Sequence, residues 1–235
     1  MIRFEHVTKR FGSKAVLDDV SFSIGRGEIF CILGPSGTGK SVTLKHMIRL
    51  LTPTSGRVIV GEDVVSEATG AALSKIRSRF GYLFQSAALL AWMNVYDNVS
   101  LPLREHSNLS EGEIRDRVMD ALEKVGLEKD LYAMPADLSG GMQKRAGLAR
   151  AIVTQPEIVL YDEPTSGLDP VTSRRIDELI LDLNQRLGIT SVVVTHDLHS
   201  ALSISTPSEF IHSDLPVARS FLDAQYITRR GRWEE

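Results

Sequence analysis

An α/β fold is expected here, with a largely parallel sheet, an antiparallel β segment ahead of it and a helical subdomain inserted in its middle. Three features of the sequence lead to it. The first two dozen residues carry alternating strand-like runs, as in an antiparallel sheet. From Glu28 onward, buried strand-like runs alternate with helical ones, the order that builds a parallel sheet covered by helices. Between about Phe80 and Ile152 helical patterns dominate instead, and the strand and helix alternation resumes at Pro156.

In order along the chain, Ile2–Val7 and Val16–Ile24 are the two N-terminal strands. A buried strand, Glu28–Leu33, runs into the glycine-rich stretch Gly34–Gly39. Lys40–Leu51 reads as a helix whose apolar stripe is Val42, Leu44, Met47, Ile48 and Leu51. Thr52-Pro53-Thr54-Ser55-Gly56 breaks that pattern, and Arg57–Val60 returns to strand. After a strand at Gly81–Phe84, Ser110–Val125 is helical, and Ser110 with Glu113 fits the capping box. A further helix begins near Ser139; Ile158–Tyr161 is strand, Thr172–Leu187 helix and Ser191–Thr195 strand. There is no internal repeat, low-complexity tract or coiled coil. The expected organisation is one domain: residues 1–85 and 156–205 as its core, 86–155 as the helical subdomain, and 206–235 as a C-terminal tail.

A chain of 235 residues, 43% of them hydrophobic, can bury a substantial core. Its net charge of −3 argues against a nucleic-acid groove, and the basic run Arg229-Arg230-Gly231-Arg232 is too short to carry a binding function. The single cysteine, Cys31, precludes an internal disulfide and suits a reducing cytosol; within Ile29-Phe30-Cys31-Ile32-Leu33 it reads as a small buried hydrophobe. Met1–His6 has no charged-then-apolar signal pattern. No apolar run approaches the ~18–20 residues that span a bilayer, so any role at a membrane is expected to be peripheral.

Gly34-Pro35-Ser36-Gly37-Thr38-Gly39-Lys40-Ser41 matches G-x-x-x-x-G-K-[ST] after a strand and before a helix, the setting that defines a phosphate-binding loop. Its glycines let backbone N–H groups turn inward around phosphate oxygens, and the following helix aims its positive end at the same charge. Lys40 is expected on the β- and γ-phosphates, the Ser41 hydroxyl on Mg²⁺, and Thr43 among the nucleotide contacts. The apolar strand Ile158–Tyr161 ends in Asp162 and Glu163, and ligand sites of open α/β sheets lie at such carboxyl ends. Asp162 suits the Mg²⁺ shell, and Glu163 suits the general base that directs water at the γ-phosphate.

These features alone describe many nucleotide hydrolases. Leu138-Ser139-Gly140-Gly141-Met142-Gln143-Lys144-Arg145 narrows the field: it resembles the signature of the ABC ATPase family, with Met142 in the last place of an LSGGQ-like motif. Ser139 is a good N-cap, and Gly140 and Gly141 leave N–H groups open to an anion. The resemblance implies an ATPase with ATP and Mg²⁺ as cofactors. It also implies a homodimer in which the phosphate loop of one protomer and the signature of the other enclose each nucleotide. It further implies that Phe11 stacks on adenine, although core packing suits that residue as well. Gln85 is implied as a second Mg²⁺ contact and a link to a permease, Ser166-Gly167-Leu168-Asp169 as a loop facing the partner protomer, and His196 as a γ-phosphate contact. His6, His46, His106, His199 and His212 have no such setting and read as structural.

Within the family, Leu83–Leu90, Met93–Val99, Pro102–His106 and the methionine-bearing signature are similar to the Mla type, the ATPases of bacterial phospholipid transporters that work with MCE-domain proteins. That likeness implies integral-membrane permease subunits, an MCE-domain lipid-binding partner and a place on the cytoplasmic face of the inner membrane. Leu89, Leu90, Trp92, Met93 and Val95 suit either a groove for a permease helix or internal packing. The chain departs from the family after His196: Leu198–Ser205 runs straight into Thr206-Pro207-Ser208-Glu209-Phe210, without the usual short strand hairpin. Part of the core sheet is therefore expected to be exposed or covered in another way. Val217–Leu222 still resembles the Mla-type tail. Three rival readings stay open: a soluble ABC ATPase of translation or DNA repair, a non-hydrolysing regulatory subunit, and a transporter ATPase for another cargo.

Overall fold

The structure, a computed structural model, describes residues 1–204; the expectations for Thr206–Phe210, His212, Val217–Leu222 and Arg229–Arg232 lie outside the described residues. In chain order the strands are β1 (Ile2–Phe11), β2 (Lys14–Ile24), β3 (Ile29–Leu33), β4 (Ser55–Val60), β5 (Asp63–Val64), β6 (Phe80–Leu83), β7 (Ile158–Asp162) and β8 (Thr190–Thr195). The helices are α1 (Lys40–Met47), α2 (Gly70–Arg77), α3 (Val95–His106), α4 (Glu111–Lys124), α5 (Gly140–Ile152), α6 (Pro170–Leu187) and α7 (Leu198–Ile204).

The strands form two four-stranded sheets. One is antiparallel, in the order β2-β1-β4-β5; the other is parallel, in the order β3-β8-β7-β6. The parallel sheet divides two cores. From β7 and β8, Ile158, Leu160, Val192 and Val194 face the antiparallel sheet, meeting Ile2, Phe4 and Val58 as well as Leu44 and Met47 of α1. Val159, Tyr161 and Val193 face the opposite way, into a core shared with α3, α4, α5 and α6. Burial on both faces is what makes these strands read as unbroken apolar runs.

β3 is different. The Ser191 N–H donates to Glu28 O, and the Gly34 N–H donates to Thr195 O, so the even-numbered residues of this strand bond β8. The peptide groups of Ile29, Cys31 and Leu33 therefore point outward, and among the described residues no strand pairs with that edge. The edge expected from the shortened stretch after His196 is thus open among the described residues. One face of the strand is partly covered, by Leu198 and Ala201 of α7 against Cys31 and Leu33. Burial there pushes the Cys31 thiol up to about 12, with the charges of Asp177 and Glu163 adding to the effect, as suits an inert thiol.

Local chemistry sets the helix ends. α1 stops at Met47, short of the expected Leu51, in a Schellman closure: Arg49 takes a left-handed φ of 52°, its N–H donates to His46 O and the Leu50 N–H donates to Lys45 O. α4 carries the expected capping box, with Ser110 N–H donating to Glu113 Oε2 at 2.8 Å. α3 was not legible as one helix because Pro102 lies inside it; Asn94 caps its start by accepting from the Asp97 N–H at 2.8 Å. His46 is buried on α1, with Nδ1 2.6 Å from Val42 O, and burial pushes its imidazole down, as suits a structural histidine.

Candidate nucleotide site

The loop between β3 and α1 turns on Gly37 and Gly39, at φ 84° and 95°. A Cβ at Gly39 would also fall 2.9 Å from Val16 Cγ1 and 3.0 Å from Val16 O, so the loop lies directly on β2. α1 then starts at Lys40, its first N–H groups aimed back into the loop. Lys40 is buried; its Nζ donates to Gly34 O at 2.7 Å and Pro35 O at 3.1 Å, and lies 3.2 Å from Glu163 Oε1. Pro35, Ser36 and Thr38 are exposed, and the Thr38 hydroxyl donates to Pro35 O. Thr43 is buried, its hydroxyl donating to Gly39 O at 3.2 Å.

The acids arrive from β7. Ser41 Oγ donates to Asp162 Oδ1 at 2.7 Å, and the Tyr82 hydroxyl donates to Asp162 Oδ2 at 3.0 Å. Burial, reinforced by that carboxylate, pushes the Tyr82 phenol well above its ordinary value, so it stays a donor. Glu163 leaves the strand in a left-handed conformation, φ 51°, which costs a non-glycine residue roughly 1–2 kcal/mol and redirects the side chain. Its N–H bonds Val194 O at 2.9 Å. Its Oε2 lies 2.7 Å from His196 Nδ1 and accepts the His196 N–H at 3.2 Å. Lys40, Glu163 and His196 thus form one connected set at the carboxyl ends of the parallel strands, beside the Ser41–Asp162 pair.

The Ser41 and Asp162 oxygens fit a hard divalent cation such as Mg²⁺. Among the described residues no group of three or more His, Cys, Asp or Glu is gathered as a cation cage, and Mg²⁺ typically takes one or two carboxylates and fills its octahedron with phosphate and water. Gln85 sits apart from that pair: it is exposed, and its amide donates to Ser166 Oγ at 3.4 Å. Phe11 lies at the end of β1, 48% exposed and outside both cores, with Lys9 Nζ 5.1 Å from its ring centre.

The signature turn is built from α5 and α6. Ser139 caps α5 by accepting the Met142 N–H at 3.3 Å. A Cβ at Gly141 would fall 2.5 Å from Thr172 Cγ2, and one at Gly140 3.2 Å from Leu168 Cδ2, so both glycines lie against the segment that follows β7. Asp169 caps α6, accepting from the N–H groups of Val171 and Thr172 at 3.0 Å each; these bonds, led by the Thr172 hydroxyl, hold its carboxyl below its usual range. Among the described residues no hydrogen bond or ion pair joins Ser139, Gly140 or Gly141 to Lys40, Ser41, Asp162, Glu163 or His196. The sequence assigns no role of its own to Tyr82 or Lys144, and it places Ser166 only within the loop expected to face the partner protomer. For Tyr82 a signal existed: it lies on the strand that leads to Gln85, beside the strand that ends in Asp162.

A phosphate loop joined to a carboxylate pair and a histidine at the ends of parallel strands is the apparatus of a nucleoside-triphosphate hydrolase. The comparisons make the class specific. The ABC transporter family pattern matches residues 17–166. The probable ribonucleotide transport ATP-binding protein mkl of Mycobacterium leprae is 44% identical, over a match covering all of this chain and 72% of that protein. That matched span is longer than this chain, 249 positions against 235, so the relative carries residues that this chain lacks. The intermembrane phospholipid transport system ATP-binding protein MlaF of Escherichia coli K12 is 42% identical over 83% of this chain and 72% of its own length. Among solved structures, the dimeric ATP-binding cassette MJ0796 in a post-hydrolysis state with ADP and phosphate is 36% identical, with a TM-score of 0.77 over 86% of this chain and 90% of that one. The chain belongs to the ABC transporter family, as its ATP-hydrolysing, ATP-binding subunit. No helix among the described residues is long and apolar enough to cross a membrane.

Proposed function

We propose that this subunit works as a head-to-tail homodimer on integral-membrane permease subunits at the cytoplasmic face of a bacterial inner membrane, using ATP to move phospholipid together with an MCE-domain partner. The connected Lys40–Glu163–His196 set carries the catalytic part of this reading. ATP draws the Lys40 ammonium from Glu163 onto the β- and γ-phosphates, over N–H groups presented by Gly37 and Gly39. Glu163 Oε1, released from that contact, accepts a proton from the attacking water, while His196 holds the other carboxylate oxygen and faces the γ-phosphate. Ser41 and Asp162, together with Gln85, would hold Mg²⁺, which would neutralise charge that builds on the phosphate oxygens. Phe11, about half exposed at the end of β1, would stack on adenine. Ser139, Gly140 and Gly141 have no bond to the phosphate site of their own chain, which supports a role on a partner's nucleotide.

The cargo reading rests on the Leu83–Leu90, Met93–Val99 and Pro102–His106 stretches and on the MlaF relatives. A second reading, a phosphorylated water-soluble cargo, takes its support from the mkl relatives. The test is ATP hydrolysis by the chain reconstituted with its neighbouring permease in vesicles, with phospholipid or ribonucleotide supplied in turn. Turnover that rises with the permease and moves labelled phospholipid supports the first reading. Movement of ribonucleotide alone replaces it with the second, and turnover indifferent to the permease removes the transport role.

A further inference from the structure

α5 lies directly on β6 and on the loop that follows it. Two glycines permit the approach: a Cβ at Gly81 would fall 2.1 Å from Ala151 O, and one at Gly147 would fall 2.9 Å from Leu83 Cδ1 and 3.2 Å from Ala87 O. Across this contact α5 sends two cations. Arg150 donates to Ala88 O at 2.8 Å and Ala87 O at 2.7 Å, carbonyls offered by two alanines in left-handed conformations. Lys144, 4% exposed, donates to Gln85 O and, at 3.1 Å, to Glu163 O. Burial disfavours its ammonium, and the charges of Glu163 and Asp162 offset that cost.

One buried ammonium therefore spans the backbone of two residues on which the phosphate site depends. It belongs to the helix whose first turn carries Gly140 and Gly141. A lysine that served only to fill space would be replaceable by an apolar chain of its length; this one satisfies two carbonyls on segments that come together only in the fold. Its contact with Glu163 is to the carbonyl, so it fixes the left-handed turn at that residue and leaves the carboxylate free to react.

We infer that Lys144 is a positioning residue that locks the Ser139–Gly141 surface to Gln85 and Glu163 of the same chain, so that the face a protomer offers its partner's nucleotide follows the state of its own site. This rests on the head-to-tail dimer proposed above. Arg150 holds the far end of the same loop, joining α5 to residues 85–88 at both ends. The two nucleotide sites of a dimer are coupled in consequence, because each protomer's own site sets the surface presented to the other.

The experiment uses the full chain in a Glu163→Gln background, where bound ATP persists, and reads ATP affinity and ATP-driven dimerisation separately. Glu163→Gln alone dimerises with ATP. Adding Lys144→Met leaves the ATP Kd within about twofold but weakens dimerisation at least about tenfold, and Lys144→Arg, which keeps the charge and donors, restores it to within about threefold. In the otherwise unaltered chain, Lys144→Met lowers kcat about tenfold and brings the Hill coefficient for ATP toward one. Lys144→Gln, which keeps a donor without charge, takes the place of Lys144→Met if that variant does not fold, with the same split expected. Dimerisation and cooperativity unchanged in the Met or Gln variant, or a loss of ATP affinity that matches the loss of dimer, overturns the inference. A Glu163→Gln chain that stays monomeric with ATP bound overturns the dimer reading itself, and the inference with it.

Discussion

The phosphate loop and the Ser139 turn use the same device to different ends. Each sets glycines at the start of a helix, where N–H groups lack intrahelical partners. The first is surrounded by charge: Lys40 beside Glu163, Ser41 on Asp162, His196 closing the set. The second has only a serine cap and two glycines pressed against Leu168 and Thr172, and no acid in the first turn of α5. A site equipped with charges can hold a nucleotide and act on it. A neutral one can complete a charged ligand that something else already holds, and the proposed two-protomer site rests on that contrast.

The comparison can be broken most directly at the charged half. Glu163→Gln is expected to lower ATP turnover by ~10²–10⁴ while ATP still binds, measured by steady-state hydrolysis beside equilibrium nucleotide binding. Normal turnover would remove Glu163 from its role. At the neutral half, Gly141→Ala forces a methyl group against Thr172 Cγ2, so the turn must shift. Turnover is expected to drop about tenfold or more with the ATP Kd of the isolated chain unchanged, because in the proposed dimer the damaged surface serves the partner. An equal loss in Kd would mean that the two halves are not separate. The smallest effect comes from two caps. Ser139→Ala and Ser110→Ala should each lower stability by about 1 kcal/mol in a denaturant titration. Only Ser139→Ala should also slow hydrolysis, since Ser110 caps α4 away from the nucleotide.

Much of this arrangement was legible because it is local. The phosphate loop, the acids after β7, the Ser139 cap and the Ser110–Glu113 box are each written within a few consecutive residues, so spacing alone located them. What escaped depends on contacts between distant segments. Tyr82 reaches Asp162 across 80 positions and Lys144 reaches Gln85 across 59, and the local pattern around each, a strand beside β7 or the signature stretch, names neither partner. The Gln85 side chain is similar: its place after β6 was readable, but its bond to Ser166 was not. The early stop of α1 turns on one non-glycine residue, Arg49, entering left-handed space, which propensity does not foresee. That Phe11, open in the sequence to adenine stacking or core packing, lies outside both cores was likewise not readable.

The side of β3 that no strand pairs among the described residues also gives the protein a chemical reporter. Cys31 is the single cysteine of the chain, and its own peptide group is one of those left facing outward. Its thiol is quiet while α7 covers it and burial suppresses the thiolate. An excursion that lifts α7 from Cys31 and Leu33 further exposes the one thiol of the 235-residue sequence. The rate at which a thiol-specific reagent consumes the unaltered protein therefore reports how readily that cover opens, with no probe added.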